Sequence, residues 1–84
     1  MAEGWLIDGD GYWVARFHRD NDSWLKDPRV FVDYGRGMSN GEPPLLKSRR
    51  NLRRADAVVL WEALRGSGWQ KTQPVWGAEA ELKK

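Results

Sequence analysis

The feature that most limits how this chain can fold is a single stretch with the apolar periodicity of a helix. Its apolar side chains recur at i, i+3, i+4 and i+7 and so form a one-sided stripe: Ala57, Leu60, Trp61 and Leu64. Asp56 suits the positive end of a helix, Arg53 is a poor N-cap residue, and Gly66 and Gly68 end the pattern. The sequence predicts one helix over about residues 54–66, and this helix needs an apolar layer to cover its stripe.

That layer is predicted to be a small antiparallel sheet that begins with an N-terminal hairpin. The predicted strands are Gly4–Asp8, Tyr12–His18 and Arg29–Tyr34, with Leu45–Arg50 as a candidate fourth strand. Alternation in the second strand puts Trp13, Ala15 and Phe17 on one face. Pro74 limits the last extended segment, residues 69–76, to an edge or a strand end. We therefore expect an α+β fold in which a sheet of three or four strands is packed by one amphipathic helix.

The length of 84 residues suits one domain, which we place at residues 1–76, with residues 77–84 as a frayed tail. The chain is rich in tryptophan. Its six tryptophans compensate for the small core of a short chain, because one aromatic side chain buries about 150–250 Å² of surface. Trp24 and Leu25 interrupt an otherwise polar loop and are expected to fold back onto the core.

Composition also excludes several classes of protein. The chain has no cysteine, which excludes disulfides and thiolate chemistry. Its first residues lack the pattern of a signal peptide, and no apolar run approaches the roughly 18 residues that span a bilayer. We expect a cytoplasmic protein with no membrane partner.

Motifs for catalysis or metal binding are incomplete. The string His18-Arg19-Asp20 spells the start of a kinase catalytic loop, but position 25 is Leu where that loop needs Asn. The acidic residues that follow do not continue as a calcium loop, and the glycine-rich residues 35–41 precede two prolines instead of a helix. His18 is the only histidine, and no sequence motif links it to a nucleophile. We therefore expect no enzymatic activity, no cofactor and no bound metal.

A cluster of positive charge is the main functional candidate. Residues 47–54 carry five basic side chains and no acid, although the net charge of the chain is only +2: Lys47, Arg49, Arg50, Arg53 and Arg54. Such a cluster binds an anionic partner such as nucleic acid, pairs with acidic groups of its own molecule, or guards an edge strand against other chains. The sequence leaves these three interpretations open.

A second candidate surface is an apolar patch on one sheet face. Four side chains in two predicted strands are its proposed members: Tyr12, Val14, Val32 and Tyr34. Exposed patches of this kind mark contacts with a partner or a second copy, whereas a patch covered by the helix is part of the core. We expect a non-enzymatic module that binds an unknown protein partner or forms a homodimer, with nucleic-acid binding through residues 47–54 as the alternative.

The helix stripe, the Gly68-Trp69 pair that follows it, and then Pro74, Trp76 and Gly77 resemble a known family. This is a family of small uncharacterised proteins, a domain of unknown function, from marine picocyanobacteria. Its helix has the form A-x-x-L-W-x-x-L and precedes a Gly-Trp pair and a Trp-Gly element. The strings FHRD and DPR of the present chain are also similar. The resemblance implies a cyanobacterial setting, but it implies no activity and carries over no catalytic residue.

Overall fold

A computed structural model describes residues 3–38 and 42–77 of the protein. One helix and five strands follow one another in the order β1 Gly4–Ile7, β2 Val14–Arg19, β3 Arg29–Arg36, β4 Leu45–Arg53, α1 Arg54–Gly66 and β5 Gln70–Lys71. The strands form one antiparallel sheet in the order β4-β3-β2-β1-β5. This confirms the predicted α+β fold, with five strands where three or four were expected and with a fourth strand that continues to Arg53.

The first core lies between the helix and the face of the sheet that it covers, which we call the helix face. Ala57 and Trp61 are the buried helix residues, and the Trp61 ring meets Phe17 edge-on at 5.1 Å between centroids. The sheet contributes further buried side chains to this core: Leu6, Ala15, Phe17, Val30 and Val32. The one-sided stripe of the sequence is therefore the surface that holds the helix on the sheet.

The helix ends in a Schellman turn. The Trp69 N–H donates to the Leu64 carbonyl at 3.0 Å, and the Gly68 N–H donates to the Arg65 carbonyl at 3.2 Å. Gly68 has a φ of +98°, a conformation that only glycine adopts at little cost. The turn sends Trp69 back against the first core and leads directly into β5.

A second, smaller core covers part of the opposite face, which we call the polar face. Trp76 returns across the sheet onto Trp5, with ring centroids 4.8 Å apart, and Val14 completes the cluster. The Thr72 N–H donates to the Trp5 carbonyl at 3.0 Å and extends the pairing beyond β5. Both faces of the sheet are thus covered by a core around β1 and β2, whereas no apolar core of the described residues lies on the polar face around β3 and β4.

The prediction that Trp24 and Leu25 fold onto the core is wrong. Their exposed fractions are 77% and 100%, and they lie in the loop between β2 and β3. Local hydrogen bonds hold this loop instead, since the Ser23 hydroxyl donates to the Asp20 carbonyl at 2.7 Å and accepts from the Arg29 N–H at 3.1 Å. The helix and the C-terminal segment already fill the cores. Apart from Gly77, the predicted tail lies outside the described residues.

Candidate functional site

The basic segment forms the long edge strand of the sheet. It spans β4 from Lys47 onward and the first helical residue, Arg54, and β4 pairs with β3 alone. All nine β4 residues are exposed except Leu52, which is half-buried. In the described residues no neighbouring strand lies beside the outer edge of β4, so this edge presents unpaired backbone N–H and C=O groups.

Among the described residues, one of the four arginines in the segment forms an ion pair with a carboxylate of the same molecule. Arg49 donates two hydrogen bonds to the Asp33 carboxylate, from Nε at 2.7 Å and from a terminal nitrogen at 3.0 Å. His18 Nε2 lies 2.8 Å from the second carboxylate oxygen and donates to it, because an ionised carboxylate only accepts. Phe31 supports both partners, with its ring 4.8 Å from the Arg49 guanidinium carbon and 5.4 Å from the His18 ring.

Asp33 is the one buried charged group of the described residues and is 3% exposed. Burial alone would raise its pKa, but the hydrogen bonds and positive charge of Arg49 and His18 outweigh burial, so the pKa lies below its ordinary value. The same hydrogen bond raises the pKa of Arg49. For Arg49, the interpretation of internal pairing is therefore the one that the structure supports.

The remaining cations of the segment have no carboxylate partner among the described residues. Lys47 is the extra residue of a β-bulge opposite Tyr34 and Gly35, and its Nζ lies 5.0 Å from the Trp13 ring. Arg50 is paired with Val32 in the ladder and lies on the helix face, where its charge acts on Tyr34.

Arg53 and Arg54 lie at the far end of the edge. Arg53 is opposite Arg29 in the ladder, and the helix N-cap that Arg53 occupies has no side-chain hydrogen bond. Arg54 begins the helix, and its backbone N–H donates to the Pro28 carbonyl. Strand alternation puts Arg53 on the polar face with Arg49. The five cations therefore flank the edge on both of its faces and do not form one flat patch.

The predicted apolar interaction face does not exist as one surface. Val14 pairs with Gly35 and Ala15 pairs with Tyr34, so Val14 lies on the polar face while Val32 and Tyr34 lie on the helix face. Val14 and Val32 are both buried, Tyr34 packs against the first core, and Tyr12 alone is exposed. The register between β2 and β3 separates residues that the sequence prediction had placed together.

An apolar recess that the sequence prediction missed opens beside β4 on the helix face. Its volume is about 230 Å³, and it is lined by Trp13, Tyr34, Lys47, Ser48 and Trp69. We call it the aromatic recess. Tyr34 and Trp69 meet at 6.4 Å between ring centroids, and burial raises the pKa of Tyr34 although the Arg50 charge opposes this. The alternation that places Trp13 with Ala15 and Phe17 was the sequence signal for one wall, but the turn that delivers Trp69 was not readable from periodicity.

A second cavity of about 330 Å³ lies at the opposite end of the sheet under the exposed Trp24 and Leu25. Its rim mixes the acids Glu3 and Asp20 with the bases Arg19 and Arg54, so it carries no consistent charge. Across the described residues there is no group of three or more side chains that is suited to hold a metal ion. The helix, moreover, lacks the length and apolar character needed to cross a membrane.

Comparison with known protein families identifies a match. A family model described as "Protein of unknown function (DUF1651)" matches residues 3–76, which include all five strands and the helix. No curated protein and no solved structure matches the chain.

Proposed function

Since the chain belongs to the DUF1651 family, whose function is unknown, we propose a function for it from its geometry. The protein is a small non-enzymatic binding module that takes an acidic, extended segment of a partner protein along the outer edge of β4. One observation carries this proposal: a nine-residue strand with an open edge is lined by basic side chains.

Strand addition explains why the open edge favours a peptide. An extended segment that lies beside β4 would form backbone hydrogen bonds with its unpaired groups, and these bonds give affinity without regard to sequence. Specificity then comes from side chains, which alternate between the two faces of the added strand. A segment with carboxylates on both of its faces would meet Lys47 and Arg50 on one face and Arg53 on the other, while Arg49 stays bound to Asp33.

The placement of charge favours this partner over a second copy of the chain. In a symmetric dimer through β4, each basic edge would face an identical basic edge, and like charges directly opposite one another destabilise a strand pair. An acidic segment would instead place carboxylates beside Arg50 and Arg53, which have no carboxylate partner among the described residues. The charges that guard the edge against self-association therefore admit an acidic strand.

Nucleic acid is the competing partner. Arg50, Arg53 and Lys47 have no carboxylate partner in the described part of the chain, and the aromatic recess offers rings for base stacking. However, a nucleic acid backbone follows one continuous charged surface, whereas these cations are divided between two faces of the sheet. This division favours a ligand that lies in the plane of the sheet and reaches both faces.

Binding of a synthetic peptide as long as β4, in which pairs of glutamates alternate with pairs of threonines so that both faces carry carboxylates, tests the proposal. We expect fluorescence anisotropy to show binding that weakens with salt, and Arg50→Glu to weaken it by about tenfold or more, because one close charge is reversed. Every second backbone N–H of an added strand points toward β4. Methylation of these nitrogens should abolish binding, whereas methylation of the nitrogens in between should not. Arg65→Glu is the matched control, since Arg65 is an exposed arginine in the last turn of the helix, away from β4.

Two results would overturn the proposal. Tight binding of single-stranded DNA or RNA with a steep salt dependence, and none of the peptide, would assign the edge to nucleic acid. A dimer in light scattering that Arg50→Glu alters and the peptide does not disturb would assign it to a second copy.

We also propose the cytoplasm of a marine picocyanobacterium as the cellular setting. The support is the resemblance of residues 57–69 and 74–77 to that family. Recovery of the protein from the soluble fraction of such cells tests this, and recovery with membranes or outside the cell would count against it.

A further inference from the structure

We propose that the aromatic recess is a selectivity pocket for one large apolar side chain of the acidic segment that binds β4. This inference rests on the proposed function and deepens it. The partner sequence it implies has an aromatic or large aliphatic residue and, two residues away, an acid. The evidence is the shape of the recess, its position relative to the edge, and the charges on either side of it.

The recess is reachable from an added strand because Ser48 is small. Ser48 lies on the helix face of β4, opposite Tyr34, and forms the near wall of the recess. A residue of the added strand that pairs with Ser48 on the same face would have its Cβ about 5 Å away. Its side chain would pass over Ser48 toward Tyr34 and Trp69.

The walls of the recess favour an apolar occupant. Three of the five lining residues are aromatic, and most of their exposed surface in the recess is apolar. These rings are already fixed by contacts: Trp13 packs edge-on against Tyr12 at 5.1 Å, and Tyr34 packs against Trp69. Binding therefore requires little reordering of the pocket, which lowers the entropy cost of association.

The flanking charges set the neighbours of that apolar side chain. Residues two apart on a strand share a face, so the added residue opposite Arg50 lies on the same face as the recess occupant. Arg50 has no carboxylate partner in the described segments, and an acid at this position would supply one. The residue in between faces Arg49, whose guanidinium is already bound to Asp33, so we expect weak selection there.

A positional scan of the glutamate–threonine peptide tests the inference. Phenylalanine replaces each position in turn, and we expect one position to gain about tenfold or more in affinity, as burial of one aromatic side chain predicts. Ser48→Phe should remove this gain, because the new ring fills the entrance from an exposed site. The parent peptide, which has no apolar residue, is measured on both proteins, and the gain on each protein is the ratio of the affinities of the phenylalanine and parent peptides.

The outcomes separate the two proposals. If no peptide of the series binds, the proposed function itself fails. If the parent peptide binds but no position prefers phenylalanine, or if the preference survives in Ser48→Phe, the selectivity pocket is refuted while the function stands. Trp13→Leu provides a second measurement: it should reduce the ratio of the two peptide affinities, because one aromatic wall of the recess is lost, and an unaltered ratio would contradict the inference.

Discussion

Replacement of Arg49 by methionine should destabilise the protein far more than the same replacement of Arg50. The two arginines are adjacent on β4, but only Arg49 donates to the buried Asp33 carboxylate, with two bonds of 2.7 and 3.0 Å. Removal of one partner of a buried ion pair costs about 3–5 kcal/mol because the other charge stays buried and unpaired. His18 still donates to Asp33, and the Arg49 side chain is 57% exposed, so water can enter after its loss. We therefore expect about 2–4 kcal/mol, near the value for one to two charged hydrogen bonds.

Urea and thermal unfolding at pH 7, followed by tryptophan fluorescence, measure this difference. A domain of this size has a total stability of roughly 4–13 kcal/mol, so the loss is a large part of it. At roughly 4–8 °C per kcal/mol, Arg49→Met should lower Tm on the order of 10–30 °C. Arg50→Met removes the same charge from the same strand, but it breaks no carboxylate contact among the described residues and should change stability by about 0.5 kcal/mol or less. Equal effects of the two replacements would refute the assignment of Arg49 to the fold.

Three further predictions concern acid stability and the two helix ends. Asp33 has a lowered pKa in the folded protein, so its contribution to stability is present above the unfolded pKa of about 3.9 and is lost as pH falls through that value toward the lower folded one. Urea midpoints between pH 7 and pH 2 should thus fall less steeply for Asp33→Asn than for the wild type, and parallel curves would contradict this. Gly68→Ala should lower the free energy of unfolding by about 1–2 kcal/mol, because φ at this position is +98°. Gly66→Ala should be neutral or stabilising, because its added Cβ meets no atom within 4 Å. Thermal unfolding that ranks the two variants the other way would be inconsistent with the described turn. Arg53→Ser should add about 0.5–1 kcal/mol by supplying the missing N-cap acceptor, and an unchanged urea midpoint would argue against that.

Local periodicity made most of the fold predictable. The helix of about residues 54–66 corresponds to Arg54–Gly66, because its stripe, its uncapped start and its glycine end are all local signals. The hairpin and third strand followed from alternation in the same way. β5 was not predicted as a separate strand, because Gln70 and Lys71 are extended through pairing with Ile7 and Leu6 and not through their own pattern.

The site was less predictable because it depends on register between strands. Alternation assigned Trp13, Ala15 and Phe17 to one face correctly, but it cannot say which face of β3 lies beside them. A shift of pairing by one residue exchanges the two faces, so Val32 was placed with Val14 and not with Ala15. The Asp33–Arg49 ion pair depends on a second register, that between β3 and β4, in which the two residues are opposite each other.

The register between β3 and β4 also explains why position 35 is a glycine, a requirement that the sequence pattern does not indicate. A Cβ on Gly35 would lie 2.5 Å from the Leu45 carbonyl oxygen, beside the bulge that carries Lys47. The position therefore tolerates no side chain without a shift of β4. The bulge in turn lets both Lys47 and the following residue, Ser48, line the recess, although neighbours in a regular strand lie on opposite faces. No local sequence pattern indicated this.

The unequal edges of the sheet have a consequence for stoichiometry. β4 offers nine residues for pairing, whereas the opposite boundary of the sheet is β5, which has two. Fibre growth by successive strand pairing needs two open strand edges on every subunit, because each subunit must pair with a neighbour at both ends of its sheet. Among residues 3–38 and 42–77 only β4 offers such an edge, so a complex built on β4 should stop at one added strand per chain, and the molecule would end a growing sheet instead of extending it.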